Sequence, residues 1–229
     1  MRAVHLAAGL VLGLWVTLWL TLWPCVDASA LAGDTPRRDT TSDTTVELPR
    51  RTDAARLMNE LMSGKAQVGG PFKLTDQFGK KRSLADFRGK IVLLYFGYTF
   101  CPDVCPTDLL QIANLIKSLG TDGENVQPIF VTLDPHRDTQ TLLRKYVAAF
   151  HPRFVALRGT EDEVRRVATA YKVFFEKVKS PHSSTYFIDH AAFIFLLDRE
   201  GGYVAFFPPG TTTERMAVMM RELLPSGHY

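Results

Sequence analysis

Beyond Gly69, the pattern of apolar and polar positions alternates between the period of a strand and the period of a helix. Such alternation is the signature of a layered α/β domain in which helices flank a sheet. The continuous apolar run at residues 91–97 predicts a central strand that is covered on both faces. Residues 106–119 predict the helix that follows, because leucine and isoleucine recur at helical spacing and Gly120 ends the run.

The remaining elements continue this alternation along the chain. Further strands are predicted at residues 72–75, 82–84, 126–133, 192–197 and 203–207. Asp138 and Thr160 are the predicted N-caps of two helices, and residues 213–224 predict a closing amphipathic helix. The last two strands form a predicted hairpin, whereas residues 177–186 are interpreted as an exposed loop that leads to His190.

Residues 1–32 differ from this pattern and predict a membrane-directed segment. No Asp, Glu, Lys or Arg occurs between Ala3 and Val26, and the three tryptophans of the protein recur there at spacings of four. The length of the apolar run favours a retained anchor, while the small residues near position 30 are typical of a cleaved signal peptide.

The charges around this segment predict where the rest of the chain resides. Arg2 is the only fixed side-chain charge before the apolar run, so the positive-inside rule keeps that end in the cytoplasm. We therefore expect a single anchor in a bacterial inner membrane with the domain in the periplasm, or a soluble periplasmic protein if the segment is cleaved. Residues 33–66 predict a flexible tether with a short helix at 53–63, and the domain is expected at residues 67–226.

Composition and charge narrow the classes of function. With 229 residues, 46% of them hydrophobic and 22% charged, the chain fits one globular domain once its N-terminal segment is subtracted. The formal net charge is +3 and the basic residues are scattered among acidic ones, so no nucleic-acid partner is expected.

A pair of cysteines follows the predicted central strand. The motif Cys-Pro-Asp-Val-Cys-Pro at residues 101–106 lies between that strand and the next helix, where α/β folds place their ligands. Pro106 suits the first helical position, which makes Cys105 the expected N-cap residue. A thiol at a helix N-terminus has a lowered pKa, so we expect the thiolate to be favoured at Cys105.

Such a pair has three interpretations: a redox dithiol, a structural disulfide, or two soft ligands for a metal. Redox catalysts of the thioredoxin type usually separate their cysteines by two residues, whereas three residues separate Cys101 from Cys105. Such catalysts also need a proline just before a later strand, and His190 stands there instead. Metal binding is therefore favoured over the other two interpretations.

His190 supplies a third candidate ligand. It precedes the strand predicted at 192–197, which places it at the same edge of the sheet as the cysteine loop. Two thiolates and one imidazole suit Cu(I), and with a further weak ligand they also hold Cu(II). Zinc usually takes a fourth protein ligand or a catalytic water.

Four further residues near this edge are secondary candidates. Asp134 ends a predicted strand and precedes Pro135, so it either tunes the thiolates or contacts a partner, or else only forms an Asp-Pro turn. Asp103 is expected to satisfy N–H groups at the start of the helix, with recognition of a partner as the alternative. Tyr98 and Phe100 either shield a metal, form a docking surface, or pack at the strand end.

Several motifs together resemble the Sco/SenC family of copper chaperones. They are Gly-Tyr-Thr-Phe-Cys-Pro-Asp-Val-Cys-Pro-Thr at 97–107, Val-Thr-Leu-Asp-Pro-His-Arg-Asp-Thr at 131–139, Tyr-Val-Ala-Ala-Phe at 146–150 and Asp-His at 189–190. The resemblance covers about residues 70–224. It implies a thioredoxin-like α/β fold, with a central mixed sheet flanked by helices, an extra hairpin and an N-terminal membrane-directed helix. It also implies that Cys101, Cys105 and His190 ligate copper.

The resemblance further implies a role in maturing the copper centre of cytochrome c oxidase subunit II. On this hypothesis the protein is a metallochaperone without enzymatic turnover, and its partners are subunit II and an upstream periplasmic copper donor or thiol reductant. The alternative is a thiol-disulfide oxidoreductase that keeps cysteines of the oxidase or of another chaperone reduced, through a redox-active pair Cys101 and Cys105. A peroxidase or redox sensor is a third, weaker hypothesis, since thioredoxin-like folds host such activities.

Overall fold

A mixed sheet of seven strands carries the site, and a separate two-stranded sheet lies beside it. The computed structural model describes residues 67–179 and 185–224, together with residues 59, 60 and 63. The strands are β1 (Lys73–Asp76), β2 (Lys81–Ser83), β3 (Ile91–Gly97), β4 (Val126–Thr132), β5 (Val155–Arg158), β6 (Phe175–Lys179), β7 (Tyr186–His190), β8 (Ile194–Leu197) and β9 (Tyr203–Phe207). The α-helices are α1 (Val104–Ser118), α2 (Gln140–Ala148), α3 (Glu161–Ala170) and α4 (Thr213–Arg221), and short 3-10 helices occupy Leu84–Phe87 and Gly120–Asn125.

The large sheet has the strand order β2-β1-β5-β4-β3-β8-β9. Strands β3, β4 and β5 run parallel to one another, whereas β8 pairs antiparallel with β3 and with β9, and β1 pairs antiparallel with β5 and with β2. Parallel neighbours require crossover connections, and α1 and α2 provide them. The expected mixed sheet with flanking helices is confirmed.

Strand β3 is the interior strand from which the site is built. All seven of its residues are buried, as the continuous apolar run predicts for a strand covered on both faces. Its bounds, Ile91–Gly97, match the prediction. The hairpin of β8 and β9 is likewise confirmed.

Strand β5 was not predicted from the sequence. It has only four residues, and a run this short carries no periodicity that separates it from a loop. It nevertheless lies inside the sheet, where it pairs with β4 and with β1. Its position is set by its neighbours in the fold rather than by its own pattern.

The expectation of a loop at residues 177–186 is wrong for its described ends. Residues 177–179 belong to β6 and Tyr186 begins β7, and these two strands pair antiparallel with Phe175 opposite His190. Most side chains of β6 are exposed, so the strand has no apolar face. Its pairing with β7 is made by the backbone, and the sequence therefore shows no alternation of apolar and polar residues there. We call this pair of strands the His190 hairpin.

One of the two predicted helix caps is confirmed and the other is wrong. Thr160 caps α3 in a capping box with Glu163. Helix α2, in contrast, is capped by Thr139, whose Oγ1 accepts a hydrogen bond from the Leu142 N–H at 3.2 Å. Asp138 is not the cap, because its carboxylate is buried and accepts hydrogen bonds from Thr99 and Thr132.

The predicted membrane-directed segment (1–32) and almost all of the predicted tether (33–66) lie outside the described residues. The domain boundaries at 67 and 226 therefore stay a prediction. Within the described part of the chain, no helix combines the length and the apolar character needed to cross a membrane.

Candidate metal centre

The loop after β3 carries Cys101 and leads into α1, whose first turn brings Cys105 against the end of β3. Gly97 is the last residue of β3, and a Cβ atom at this position would lie 2.7 Å from Sγ of Cys105 and 3.0 Å from the Tyr95 ring. Any larger residue would therefore push the thiol away. Glycine permits the close approach of Cys105 to the backbone.

Cys101, Cys105 and His190 form one group, and their ligand atoms all lie within 4.8 Å of one another. Sγ of Cys105 is 3.4 Å from Nε2 of His190. Both cysteines are free thiols. The sequence predicted these three side chains at one edge of the sheet, and the structure brings them together there. Within the described residues, they are the only such group of three His, Cys, Asp or Glu side chains.

His190 is oriented by its aromatic neighbours and by the backbone. Its ring lies edge-on to Tyr95 and Tyr98, with centroids 6.2 and 6.1 Å away and an interplanar angle of 83° in both cases. Nδ1 lies 3.4 Å from the carbonyl oxygen of Ala191. A proton on Nδ1 is directed toward this oxygen, which leaves the lone pair of Nε2 for a metal.

The start of α1 differs from the prediction, and this changes which thiol ionises. The helix begins at Val104 with Asp103 as its N-cap, so Cys105 lies within the first turn rather than at the cap. A proline is tolerated throughout the first turn, since the N–H groups there have no helical partner. The N–H of Cys105 points to Sγ of Cys101 at 3.5 Å, so the helix start stabilises charge on Cys101.

The pKa values of the two thiols are therefore shifted in opposite directions. A hydrogen bond from the Cys105 thiol is the main reason that the pKa of Cys101 lies well below its usual range, and His190 adds to this effect while burial opposes it. The same shared hydrogen bond, together with burial, raises the pKa of Cys105. The expected lowering of the pKa at Cys105 is wrong, because the thiolate is favoured at Cys101.

Three other candidates, Asp103, Tyr98 and Phe100, lie near the cysteines and differ in their contacts and exposure. Asp103 makes no side-chain capping bond; its carbonyl oxygen accepts from Oγ1 of Thr107 at 3.0 Å. Tyr98 is buried, and its hydroxyl accepts a hydrogen bond from the Ile188 N–H of β7 at 3.2 Å. Phe100 is 51% exposed and lies beside Cys101 in sequence.

A shallow depression of about 300 Å³ opens at this site. Its lining includes Tyr98, Cys101, Val104, Phe187 and His190. Phe187 is 41% exposed, and the exposed side chains of Asp103 and Asp189 also line the depression, so its rim is partly apolar and partly acidic.

Asp134 lies at the predicted end of β4, but its carboxylate faces the His190 hairpin. It is completely buried, and Oδ1 accepts a hydrogen bond from the Tyr186 hydroxyl at 2.8 Å. Oδ2 accepts from Nε of Arg137. Asp134 is thus more than a turn-forming residue.

Two buried polar groups behind Cys105 were not predicted. Asp108 lies one turn after Cys105 on α1, and burial raises the pKa of its carboxyl. Oδ2 of Asp108 and the hydroxyl of Tyr95 are buried and make no hydrogen bond of ordinary geometry among the described residues, although the nearby Tyr95 hydroxyl opposes the rise in the pKa of Asp108. Asp108 could have been identified from the sequence, because it is an acidic residue on the apolar face of the predicted helix, three positions after Cys105. Tyr95 gave no such signal, because it lies within an apolar strand.

Comparisons with known proteins agree with this architecture. A family model described as SCO1/SenC matches residues 60–225. An SCO2-like protein of Rickettsia prowazekii is 41% identical over 144 residues, which cover 62% of this chain and 70% of the relative. The structure of Bradyrhizobium japonicum ScoI with copper bound has 40% sequence identity and a TM-score of 0.63, and the match covers 69% of this chain and 99% of that one.

A more distant structure supports the fold alone. It is that of BsSco, described as a member of the Sco family of cytochrome c oxidase assembly proteins in which a disulfide switch was identified. The match has 22% identity and a TM-score of 0.55, and it covers 69% of this chain and 93% of BsSco. These matches confirm the thioredoxin-like fold expected from the sequence motifs.

Proposed function

Because the chain belongs to the SCO1/SenC family, we propose that it binds one copper ion through Cys101, Cys105 and His190 and delivers it to cytochrome c oxidase subunit II during assembly. The observation that carries this proposal is the grouping of the three ligand atoms within 4.8 Å of one another. Copper is the cargo of the protein, and no substrate is turned over.

The donor set supports copper over other metals. Two thiolates and one imidazole suit Cu(I), which prefers soft ligands in low coordination, and they hold Cu(II) when a weak ligand is added. A structural zinc site would usually contain a fourth protein ligand. Within the described residues, no further His, Cys, Asp or Glu joins the group.

The unequal exposure of the ligands supports transfer by ligand exchange. Cys105 is completely buried, whereas Cys101 is 9% exposed and His190 is half-buried, so an incoming ligand meets Cys101 and His190 first. Binding of the ion would release the proton of the Cys105 thiol to solvent, because Cys101 is already a thiolate. Transfer would exchange one ligand at a time: acceptor ligands bond to copper as the bonds to Cys101, His190 and finally Cys105 break, Cys105 takes back a proton from solvent, and the oxidation state of the ion does not change.

We infer the recipient from the family resemblance and the location from the apolar N-terminal run. The motifs at residues 97–107 and 131–139, together with the match of the SCO1/SenC family model to residues 60–225, support the oxidase as the partner. The apolar run before Asp27 supports an anchor in a bacterial inner membrane, or a cleaved signal peptide, with the domain in the periplasm. An upstream periplasmic copper donor or thiol reductant completes the set of proposed partners.

The test uses the full chain, purified in detergent without oxygen. We expect one copper per chain, and we expect Cys101→Ser and Cys105→Ser each to abolish stable binding. His136→Ala is the matched control, since His136 is 65% exposed and pairs with Glu161. Mixing the loaded chain with copper-free subunit II should move copper to subunit II. Full copper binding by both cysteine variants would overturn the proposed ligand set, and a loaded chain that retains its copper would overturn delivery.

A second function is favoured by the asymmetry of the thiols. Cys101 is reachable and its pKa is lowered chiefly by the Cys105 thiol, while Cys105 is buried and keeps its proton. This arrangement suits an attack by the Cys101 thiolate on a disulfide, followed by displacement of the mixed disulfide by Cys105. Two electrons and the Cys105 proton would pass to the substrate, which leaves as one thiol and one thiolate that takes its proton from solvent, and Cys101 and Cys105 would become a disulfide.

A further inference from the structure

The His190 hairpin is not part of the large sheet. In the described part of the chain, β6 and β7 pair only with each other. At the base of the hairpin, the Ala191 N–H donates to the carbonyl oxygen of Phe174 at 3.0 Å, which closes the hairpin on itself. No ladder of backbone hydrogen bonds therefore joins β7 to the large sheet. The short connection from His190 to β8 and side chains from other elements hold His190 beside the cysteines.

Arg137 makes such a connection at the start of β7. Its Nη1 donates to the carbonyl oxygen of Tyr186 at 2.9 Å, and its guanidinium carbon lies 3.7 Å from the centre of the Tyr186 ring. Its Nε pairs with the buried carboxylate of Asp134, which also accepts the Tyr186 hydroxyl. We call Asp134, Arg137 and Tyr186 the Arg137 clamp.

The same guanidinium faces the cysteine loop. Its carbon lies 4.8 Å from the centre of the Phe100 ring, and Phe100 directly precedes Cys101. It lies 5.8 Å from the centre of the Tyr98 ring, whose hydroxyl accepts from the backbone of β7. One cation thus contacts both the loop that carries Cys101 and the strand that ends in His190.

The clamp is largely buried, so its polar groups need hydrogen-bond partners within the protein. The side chain of Arg137 is 19% exposed and that of Asp134 is completely buried. Nη2 of Arg137 is buried without a hydrogen-bond acceptor among the described residues. The planar guanidinium of Arg137 donates in fixed directions to the Asp134 carboxylate and the Tyr186 carbonyl while it stacks on aromatic rings. The ammonium group of a lysine cannot make this combination of contacts.

We propose that Arg137 is a positioning residue, which sets the distance between His190 and the cysteine pair by holding Tyr186 and Phe100 on one guanidinium. Among the described residues, the hydrogen bonds of Arg137 go to Asp134 and Tyr186 and not to the proposed metal ligands. The inference rests on the proposed function, because it takes His190 as a ligand. When the clamp is loosened, the two thiolates remain in place and the imidazole is no longer held at their side.

The test compares Arg137→Lys and Tyr186→Phe with Arg82→Lys in the full chain. Arg82 is a matched control: it pairs with the buried Asp76 at 3.0 Å and lies over the Phe87 ring at 5.9 Å, in the β1–β2 hairpin. Arg137→Lys keeps a positive charge beside the Asp134 carboxylate. Tyr186→Phe removes only the hydroxyl. The second variant still tests the clamp if the first fails to fold.

We expect Arg137→Lys to weaken copper binding roughly 10- to 100-fold, as measured against a competing chelator, while Arg82→Lys leaves it unchanged. The absorption and electron paramagnetic resonance spectra of the Cu(II) form should shift in the clamp variants. In the metal-free protein, amide hydrogen exchange of residues 186–190 should accelerate in Arg137→Lys and not in Arg82→Lys.

The inference is overturned if the clamp variants bind copper with unchanged affinity and spectra, or lose no more than Arg82→Lys loses. Its failure is distinguishable from failure of the proposed function. If His190→Ala also retains normal affinity and spectra, the proposed ligand set is wrong. If His190→Ala loses them and the clamp variants do not, only the role of Arg137 is wrong.

Discussion

Nε2 of His190 lies 3.4 Å from Sγ of Cys105, although 85 positions separate the two residues in the chain. Cys105 lies in the first turn of the helix that follows an interior strand, and His190 ends a strand outside that sheet. The contact is therefore made by tertiary structure alone. It places an imidazole beside two thiols that have opposite pKa shifts.

Replacement of His190 by alanine separates metal binding from thiol chemistry. Removing one ligand of three should abolish stable copper binding, while Cys101 and Cys105 remain able to form a disulfide. Copper content after dialysis and the count of free thiols before and after oxidation measure the two properties. If His190→Ala keeps copper and loses thiol exchange, the chaperone function is wrong.

Gly97→Ala tests the close approach of Cys105 to β3. The new methyl group would lie 2.7 Å from Sγ of Cys105, so the thiol has to move. We expect a loss of about 1–3 kcal/mol in the free energy of unfolding, as for other overpacked cores, together with weaker copper binding. Urea unfolding and a chelator competition measure these effects.

Gly159→Ala is the control for this variant, since its Cβ would meet Leu74 and Glu163 at 2.8 and 2.7 Å. It should lower stability without weakening copper binding. Equal losses of affinity in the two variants would show that the approach of Cys105 to Gly97 is unimportant for the metal.

Asp138 predicts a pH dependence of stability in the acid range. Burial raises the pKa of this carboxyl above its ordinary value of 3.8. The folded protein then holds a proton that the unfolded chain has released, so stability falls as the pH rises from 3.8 through the raised pKa. Asp138→Asn removes this contribution and retains a side chain of the same shape.

The stability of Asp138→Asn relative to the natural chain should therefore increase with pH in this range and then level off. Urea unfolding of both proteins between about pH 4 and pH 8 measures the difference. A difference that stays constant over this range would contradict the prediction.

Thr160→Ala tests a cap that lies away from the metal centre. Oγ1 of Thr160 accepts the Glu163 N–H at 3.1 Å, and the Glu163 carboxylate accepts the Thr160 N–H at 2.8 Å. Loss of the hydroxyl should cost about 1 kcal/mol of stability, and copper binding should not change. Thr160→Ser should restore most of the loss, and an alanine variant of unchanged thermal stability would contradict the prediction.

The sequence was most informative where a pattern is local. Residues 91–97 are apolar without interruption, and this run alone predicts an interior strand at the observed bounds. The spacing of Cys101 and Cys105, with a histidine where redox relatives need proline, was sufficient to group the three candidate ligands. The position of Thr160 directly before an apolar run of helical spacing likewise predicted a cap, which the structure confirms.

Features that depend on tertiary contacts could not be predicted. The His190 hairpin is polar and exposed along β6, so its pattern does not differ from that of a loop. The preference for a thiolate at Cys101 depends on where α1 begins and on which thiol donates to the other. Arg137 lay within a motif used for the family resemblance, but its contact with Tyr186 joins positions 49 residues apart.

The separation of the His190 hairpin from the large sheet has a consequence for the residence time of a bound ion. Cys101 and Cys105 flank the start of a helix that is packed into the core, and they keep their places as long as the domain is folded. His190 ends a ribbon whose hydrogen-bond ladder is separate from that of the large sheet, so side-chain contacts such as those of Arg137 and Tyr98 hold it. We therefore expect substitutions in these contacts to shorten the residence time of the third metal bond while the ladder of the large sheet stays intact.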